Sequence, residues 1–436
     1  MGMLCRGLLY VRERRDVNRC IKKYRNGENI MKKHKLGLLV KLLLGILAGT
    51  LLGSLGHLLN IQDSMVFEGF VSLYVTFTSL FSTFLSFIIP LLIVSFVAAG
   101  LADLGKKANK LFGVTLLLAY ASTVIAGFAS FLAGKALLPS LIRKITGAEA
   151  VSKTFEALFT IEAEPVFGVM TALILAFLLG LGMANSKGTT LLKVIKDLQE
   201  IISKTLNKVI IPLIPVYVAG LFCKIAAEGK LIQTIQMFVK LFIMILIFQW
   251  LYIGLQFLIS SLVCKENKFK NLKNVAPAYF TALGTQSSAS TIPVNLESVK
   301  KNGVAGDIAD FVIPLCATIH LAGDTICLVL GAMGIMIANG MNPTLGMFAP
   351  FILMLGITMV AAPGVPGGGV MAALGLITSM LGFTEPMSQL IISLHFSQDS
   401  FGTACNITGD QAIAFIVDKV DRKSNPQMPE NRAQIK

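Results

Sequence analysis

The chain has 436 residues, 54% of them hydrophobic and 14% charged, with a mean hydropathy of +0.74. That balance excludes a single soluble core under a wettable exterior, because too few polar residues remain to cover it. A formal charge of +14 would suit a nucleic-acid partner, but the basic residues fall in short blocks between apolar runs, so the expected partner is the lipid bilayer and no nucleic acid.

In chain order, residues 1–35 form a basic tail with no short apolar run leading to a small-residue cleavage site, so it does not read as a signal peptide. Met31 opens Met31-Lys32-Lys33-His34-Lys35 just before the first apolar run and is one candidate start; a basic tail near anionic headgroups is the equal alternative. Residues 36–263 read as six spans. Three lie between 36 and about 137, the second carrying Pro90, and a polar outer loop follows from Pro139 to Pro165. Three more reach Val263, the middle one long, amphipathic at its start and broken by Pro212 and Pro215. Leu42 to Leu59, Phe112 to Ala133, Val166 to Ala184, Leu231 to Val263, Phe311 to Ala338 and Met347 to Leu381 each approach or exceed the roughly 20 apolar residues of a spanning helix. Two sets of three spans entering from opposite sides form an inverted-repeat pattern. Basic blocks at Lys41, Lys106, Lys187, Lys265, Lys300 and from Lys419 onward obey the positive-inside rule if each is cytoplasmic. Both termini, including a tail at 419–436, are then cytoplasmic in a multi-pass plasma or inner membrane protein. The 7 cysteines show no metal-site or disulfide spacing and read as small apolar fillers.

Residues 264–418 differ in kind. Two short semi-apolar stretches flank the polar tip Thr285-Gln286-Ser287-Ser288-Ala289-Ser290-Thr291, and two more flank Ala362-Pro363-Gly364-Val365-Pro366-Gly367-Gly368-Gly369. Each half is too short to cross comfortably, so each pair reads as a re-entrant hairpin, which is tolerated at membrane depth only where it is buried or lines a cavity. The expected fold is therefore all-α and integral to the membrane, with eight transmembrane helices plus two re-entrant helical hairpins.

The last third also concentrates polar chemistry. His320 and Asp324 interrupt an otherwise apolar run, and a central carboxylate costs about 2.5 to 3.5 kcal/mol on insertion scales, so a purpose is expected. His395, Asp399, Thr403, Asn406 and Asp410 recur at helical spacing on one face, which should line a polar cavity. No Lys or Arg occurs between Lys301 and Lys419. An anionic group bound here must therefore meet helix N-termini, backbone amides and hydroxyls, while the carboxylates suit an ammonium, Na+ or a proton.

Gln286-Ser287-Ser288-Ala289-Ser290-Thr291-Ile292-Pro293, Pro314-Leu315-Cys316-Ala317-Thr318-Ile319, Gly364-Val365-Pro366-Gly367 and Asn406-Ile407-Thr408-Gly409-Asp410 resemble, in order and spacing, the hairpin tips and last two spans of the dicarboxylate/amino acid:cation symporter family of glutamate-transporter relatives. The likeness is strongest over 271–418. It implies a homotrimer in which a scaffold part carries a mobile transport part through an elevator-like displacement. It also implies that Ser287, Ser288 and the Pro363, Gly364, Val365, Pro366 and Gly367 tip hold the substrate carboxylate, and that Asp399 takes its amine. Gly402, Thr403 and Asn406 line the pocket. Asp410, with Asn406 and nearby carbonyls, binds co-transported Na+, and Ser122 and Thr123 contribute to a second cation site.

Two departures bear on specificity. Gly402 stands where acidic-substrate members of that family place an arginine, and Gln286 replaces an arginine of some members' first hairpin. His320-Leu321-Ala322-Gly323-Asp324-Thr325 stands where the family has Asn-Met-Asp-Gly-Thr, so its cation-binding Asp falls on Ala322. Either Asp324 substitutes with His320 as a neighbour, or one cation site is lost, and a histidine there permits proton coupling. The expected function is cation-coupled symport of a small amino acid, neutral and serine-, alanine- or threonine-like. A dicarboxylate or acidic amino acid symporter, H+-coupled in one version, is the alternative, and an ion channel a distant one. An enzyme using Ser288 with His320 or His395 lacks a GxSxG or HExxH motif, so no enzymatic activity is expected.

Overall fold

The computed structural model describes residues 37–105, 110–142, 154–360, 362 and 366–424. The N-terminal tail, the Lys106–Lys107 pair, the middle of the outer loop, the Pro363, Gly364 and Val365 positions and the end of the C-terminal tail lie outside the described residues. No strand occurs among the described residues. The chain runs through α1 (Leu38–Leu58), α2 (Met65–Gly105), α3 (Lys110–Leu141), α4 (Val169–Asn185), α5 (Thr190–Thr205), α6 (Ile211–Ala227), α7 (Leu231–Cys264), α8 (Leu272–Thr285), α9 (Ser288–Lys301), α10 (Gly306–Ile319), α11 (Ala322–Ala338), α12 (Leu345–Met359), α13 (Gly368–Leu381) and α14 (Glu385–Ser424). By length and composition Leu38–Leu58, Met65–Asp103, Leu111–Leu141, Thr190–Ala227, Leu231–Cys264 and Gly306–Ala338 can each cross a membrane. The protein is thus an all-α integral membrane protein.

Two sets of contacts organise these helices. The first joins α1 to α6 and α2 to α4, α5 and α6; the second joins α3 and α7 through α14, with α14 touching α7, α8, α10 and α11. The sets meet chiefly where α13 packs on α2 and α4 and where α14 touches α1. The apolar window of Gly306–Ala338 is 94% buried, against 22% for Leu38–Leu58, so the former runs through protein and the latter along its edge.

Chemistry along α1 explains its place. Gly45, Gly49 and Gly53 recur every fourth residue and lie against the α6 backbone: a Cβ at Gly49 would come within 2.8 Å of the Ala219 carbonyl carbon, and one at Gly53 within 2.7 Å of Ala226 Cβ. Leu43, Leu44, Leu47 and Leu51 point outward. Small residues let backbones approach where lipid already solvates leucine, so packing replaces hydrophobic burial as the cohesive force.

The expected break at Pro212 and Pro215 is corrected. The chain is helical from Thr190 to Ala227, and a π-turn at Leu206–Ile210 precedes the prolines. Proline lacks an N–H to donate four residues back. The wider turn shifts the register ahead of them, as the Ile211 N–H bond to the Leu206 carbonyl records. The amphipathic start is α5, which buries Leu192, Ile195 and Ile202 and leaves Lys196 exposed to pair with Asp103 at 2.9 Å.

In the last third, α8 and α9 form one antiparallel helical pair and α12 and α13 another. The first tip is tighter than its sequence suggested: only Gln286 and Ser287 are non-helical, since Ser288–Thr291 already belong to α9. Gln286 ends α8 in the left-handed conformation, with φ of 53°, and Ser287 caps α9 by accepting from the Ser290 N–H at 3.3 Å. The run Phe311–Ala338, read as one span, is interrupted at His320 and Leu321 between α10 and α11.

Candidate functional site

Three helix N-termini and one long polar helix face converge on a small cavity of about 20 Å³, room for roughly one water. Its lining includes Ser288 in the first turn of α9, Leu321 and Asp324 at the start of α11, and Gly369 in the first turn of α13. Asp399, Thr403 and Asn406 come from α14, and Gln286 and Ala317 complete the wall. Each helix start carries the positive end of a dipole and N–H groups with no acceptor inside their own helix, of which those of Gly323 and Ser290 go to the side chains of Asn406 and Ser287, and such an end favours an anion. The carboxylates of Asp324 and Asp399 offer the opposite charge alongside. Lysine and arginine do not occur among the lining residues.

The carboxylates are held differently. Asp399 accepts from the Gly367 N–H at 2.9 Å, so the start of α13 is fastened to α14 through backbone. Gly367 sits at φ +73°, where any side chain would be strained and would collide with Phe396. Asp324 accepts from Asn406 Nδ2 at 2.6 Å, and its other oxygen lies 2.8 Å from His395 Nε2. Asn406 Oδ1 in turn accepts from the Gly323 N–H at 2.7 Å, so one asparagine fixes both the backbone and the carboxylate at the start of α11. Ligand atoms of Asp324, His395 and Asp399 all lie within 4.8 Å of one another.

A second cluster is built around His320, the residue at the α10–α11 break. Its Nδ1 lies 2.9 Å from Asp410 Oδ1, and its Nε2 lies 3.0 Å from Ser122 Oγ. Gln256 Nε2 donates to Ser122 Oγ at 3.0 Å, and Tyr252 OH donates to the Ser122 carbonyl at 2.5 Å. Asp410 Oδ2 is buried without a hydrogen-bond partner. Gly409 makes room for this cluster, since a Cβ there would fall 2.7 Å from His320 Cε1.

The residues singled out in the sequence therefore divide between two centres. Asp324, Asp399, Thr403, Asn406, Ser288 and Gly367 surround the cavity or touch those that do, whereas Asp410, His320 and Ser122 form the second group. Asp324 and Ser122 are not brought together. Thr123 donates to the Ala119 carbonyl of its own helix, Ser287 spends its hydroxyl on the α9 cap, and Pro366 lies half-buried beside Gly367. Gly402 packs on the first turn of α11: a Cβ there would lie 3.7 Å from Asp324 N and from Gln249 Nε2, while one on Gly323 would fall 3.0 Å from Gly402 Cα. Sequence reasoning missed Gln249, Gln256, Tyr252 and Ser400. Gln249 donates to the Gly323 carbonyl at 3.2 Å, and Ser400 Oγ accepts from Gln286 Nε2 at 2.7 Å. Two glutamines seven residues apart in an apolar span were a usable signal, because intramembrane amides seek protein partners.

Over 250 residues, 56% of this chain and 43% of the relative, the sequence is 27% identical to Excitatory amino acid transporter 2 of Homo sapiens. It is 29% identical over 181 residues to Neutral amino acid transporter B(0) of Rattus norvegicus, covering 41% of this chain and 32% of that one. The chain thus spans less than half the length of these two relatives. Serine/threonine transporter SstT of Acinetobacter baumannii (strain AYE) is 26% identical over 412 residues, 90% of this chain and 98% of the relative. Residues 38–420 match the family described as the Sodium:dicarboxylate symporter family. Since that match spans the paired short helices, the broken α10–α11 segment and the polar face of α14 alike, the chain belongs to the sodium:dicarboxylate symporter family of membrane transporters.

Proposed function

We propose that this protein is a Na+-coupled secondary symporter of a small neutral amino acid, and not an enzyme. The observation carrying this reading is the cavity where three helix N-termini meet two carboxylates with no lysine or arginine in the wall. The cavity as it stands holds about one water, so an amino acid enters only when the start of α13 moves off α14; its carboxylate then meets the amides of Ser288, Gly368 and Gly369, and its ammonium meets Asp399. Thr403 and Asn406 complete the pocket. Asp410, whose Oδ2 is buried and unpartnered, supplies a hard oxygen for Na+, with His320 and Ser122 beside it. The family's name supports Na+, and the relative aligned over most of this chain is named for serine and threonine.

The rest of the proposal concerns architecture. Eight spans, namely α1, α2, α3, α4, α5–α6, α7, α10–α11 and α14, combine with re-entrant pairs α8–α9 and α12–α13. The α1, α2, α4, α5 and α6 set acts as a scaffold within a homotrimer, and the other set moves as the transport part in an elevator-like step. Both termini face the cytoplasm across the plasma or inner membrane. Coupling follows from linkage: Na+ and substrate both favour the state in which the start of α13 closes on α14, so each raises affinity for the other.

A second reading, a dicarboxylate or acidic amino acid symporter, is favoured by the family's description. Uptake of labelled serine, alanine, aspartate and succinate into proteoliposomes under an imposed Na+ or pH gradient separates the two. Serine or alanine uptake driven by Na+ is the expected result. Uptake confined to aspartate or succinate would replace the neutral reading by the acidic one, and uptake driven only by the pH gradient would replace Na+ by H+.

A further inference from the structure

The cavity holds one carboxylate more than an amino acid's ammonium requires. Asp399 is fastened to the Gly367 N–H and suits the ammonium, which leaves Asp324 unassigned. It is 3% exposed, lies in the first turn of α11 and lines the cavity. Gly369 of the second hairpin rests directly on it, for a Cβ there would fall 2.5 Å from Asp324 Oδ1. Asn406 and His395 each engage one of its oxygens and lock its orientation. A carboxylate has about four acceptor positions, so lone pairs remain for a ligand.

The geometry points to Asp324 as the side-chain selectivity residue of the cavity. It accepts a hydrogen bond from a substrate hydroxyl and turns away a substrate whose side chain ends in a carboxylate. This inference rests on the symport of a small amino acid argued above, and it assigns a role that position 402 alone does not fill. Two carboxylates about 5 Å apart with no arginine between them repel strongly enough, at an effective dielectric constant near 20, to weaken binding on the order of a hundredfold. The hydroxyl preference is smaller, about tenfold, the scale of one hydrogen bond to a charged acceptor. Glycine at 402 fits the same arrangement, because a small residue there lets α14 lie against the Gly323–Asp324 backbone. His395 and Asn406 act as positioning residues that keep Asp324 aimed inward.

The test is competition against labelled serine uptake by the full-length protein in proteoliposomes, comparing unlabelled serine, alanine and aspartate for wild type and Asp324→Asn. Wild type should show alanine about tenfold and aspartate about a hundredfold weaker than serine. In the variant, serine and alanine should come within about threefold, and the penalty on aspartate should fall at least tenfold. An unchanged order of competitors in a transporting variant would overturn the assignment. If the variant does not transport serine, ligand-induced melting shifts of both detergent-solubilised proteins decide the question, and an aspartate shift as large as serine's in wild type overturns the assignment. The two readings fail differently. Wild type that binds serine and aspartate equally loses the Asp324 role while amino acid symport stands, whereas wild type that neither transports nor binds any of the three loses both.

Discussion

The contact of α1 with α6 and the contact of α11 with α14 both bring helices close through glycine, but only the second adds buried polar pairs. In the first, Gly45, Gly49 and Gly53 bring two backbones together, and Leu43, Leu44, Leu47 and Leu51 face outward. In the second, polar pairs are buried around the start of α11: Asn406 bridges Gly323 and Asp324, His395 meets Asp324, and His320, just ahead of α11, meets Asp410. A bilayer gives leucine no reason to prefer protein over lipid, so an edge helix is held by close fit. Buried amides and carboxylates in the same medium have no water to fall back on, so they need partners fixed by the fold. One contact is therefore built for cohesion, and the other fixes buried polar groups against one another.

Substitutions should separate these two roles. The largest effect is expected from Asp399→Asn, which should reduce Na+-driven amino acid uptake at least a hundredfold, because the ammonium loses its charge partner. Melting of the purified protein should not fall, since asparagine Oδ1 still accepts from the Gly367 N–H; wild-type uptake would remove Asp399 from the site. Asp410→Asn should come next, raising the Na+ concentration for half-maximal uptake on the order of tenfold while leaving serine affinity at saturating Na+ within about threefold. An unchanged Na+ dependence, read by titrating Na+ in the external buffer, would place the cation elsewhere.

The reverse profile is expected at the glycine contact. Gly49→Leu should destabilise the folded protein by about 1 to 3 kcal/mol through overpacking against Ala219, visible as a lower melting temperature in detergent. Uptake per folded molecule should stay within about twofold, so an altered Na+ dependence here would dissolve the distinction between the two contacts. The smallest effect belongs to Ser122→Ala, which removes one neutral partner of His320 and should cost about 1 kcal/mol. Its signature is a Na+ affinity shift of a fewfold without a change in the order of competing amino acids, and a changed order would tie Ser122 to the substrate cavity instead.

Much of this layout was legible before any coordinates. Apolar run lengths placed the long helices, because 20 or so consecutive apolar residues have few other uses. The spacing of His395, Asp399, Thr403, Asn406 and Asp410 put them on one helical face, and α14 carries all five in one unbroken helix. Less was legible in α5–α6, where two prolines suggested a break and the chain instead passed through a π-turn. Proline states which bond is missing but not how neighbouring turns absorb the loss.

What the sequence by itself determined is the class of protein and the inventory of its polar groups: an all-helical membrane chain of the symporter family, with His320, Asp324, His395, Asp399 and Asp410 concentrated near its end. Only the tertiary structure decided how they pair. Asp324 was legible as an acid near a cation position, yet it bonds to His395 on another helix 71 positions away, while His320, four residues before it, turns toward Asp410 and Ser122. The interruption at His320 and Leu321 sends the two side chains to different levels of α14, and His320 alone also reaches Ser122 on α3. Periodicity along one helix records which residues share a face, but partners on separate helices are chosen by packing, to which residues far apart in the chain contribute jointly.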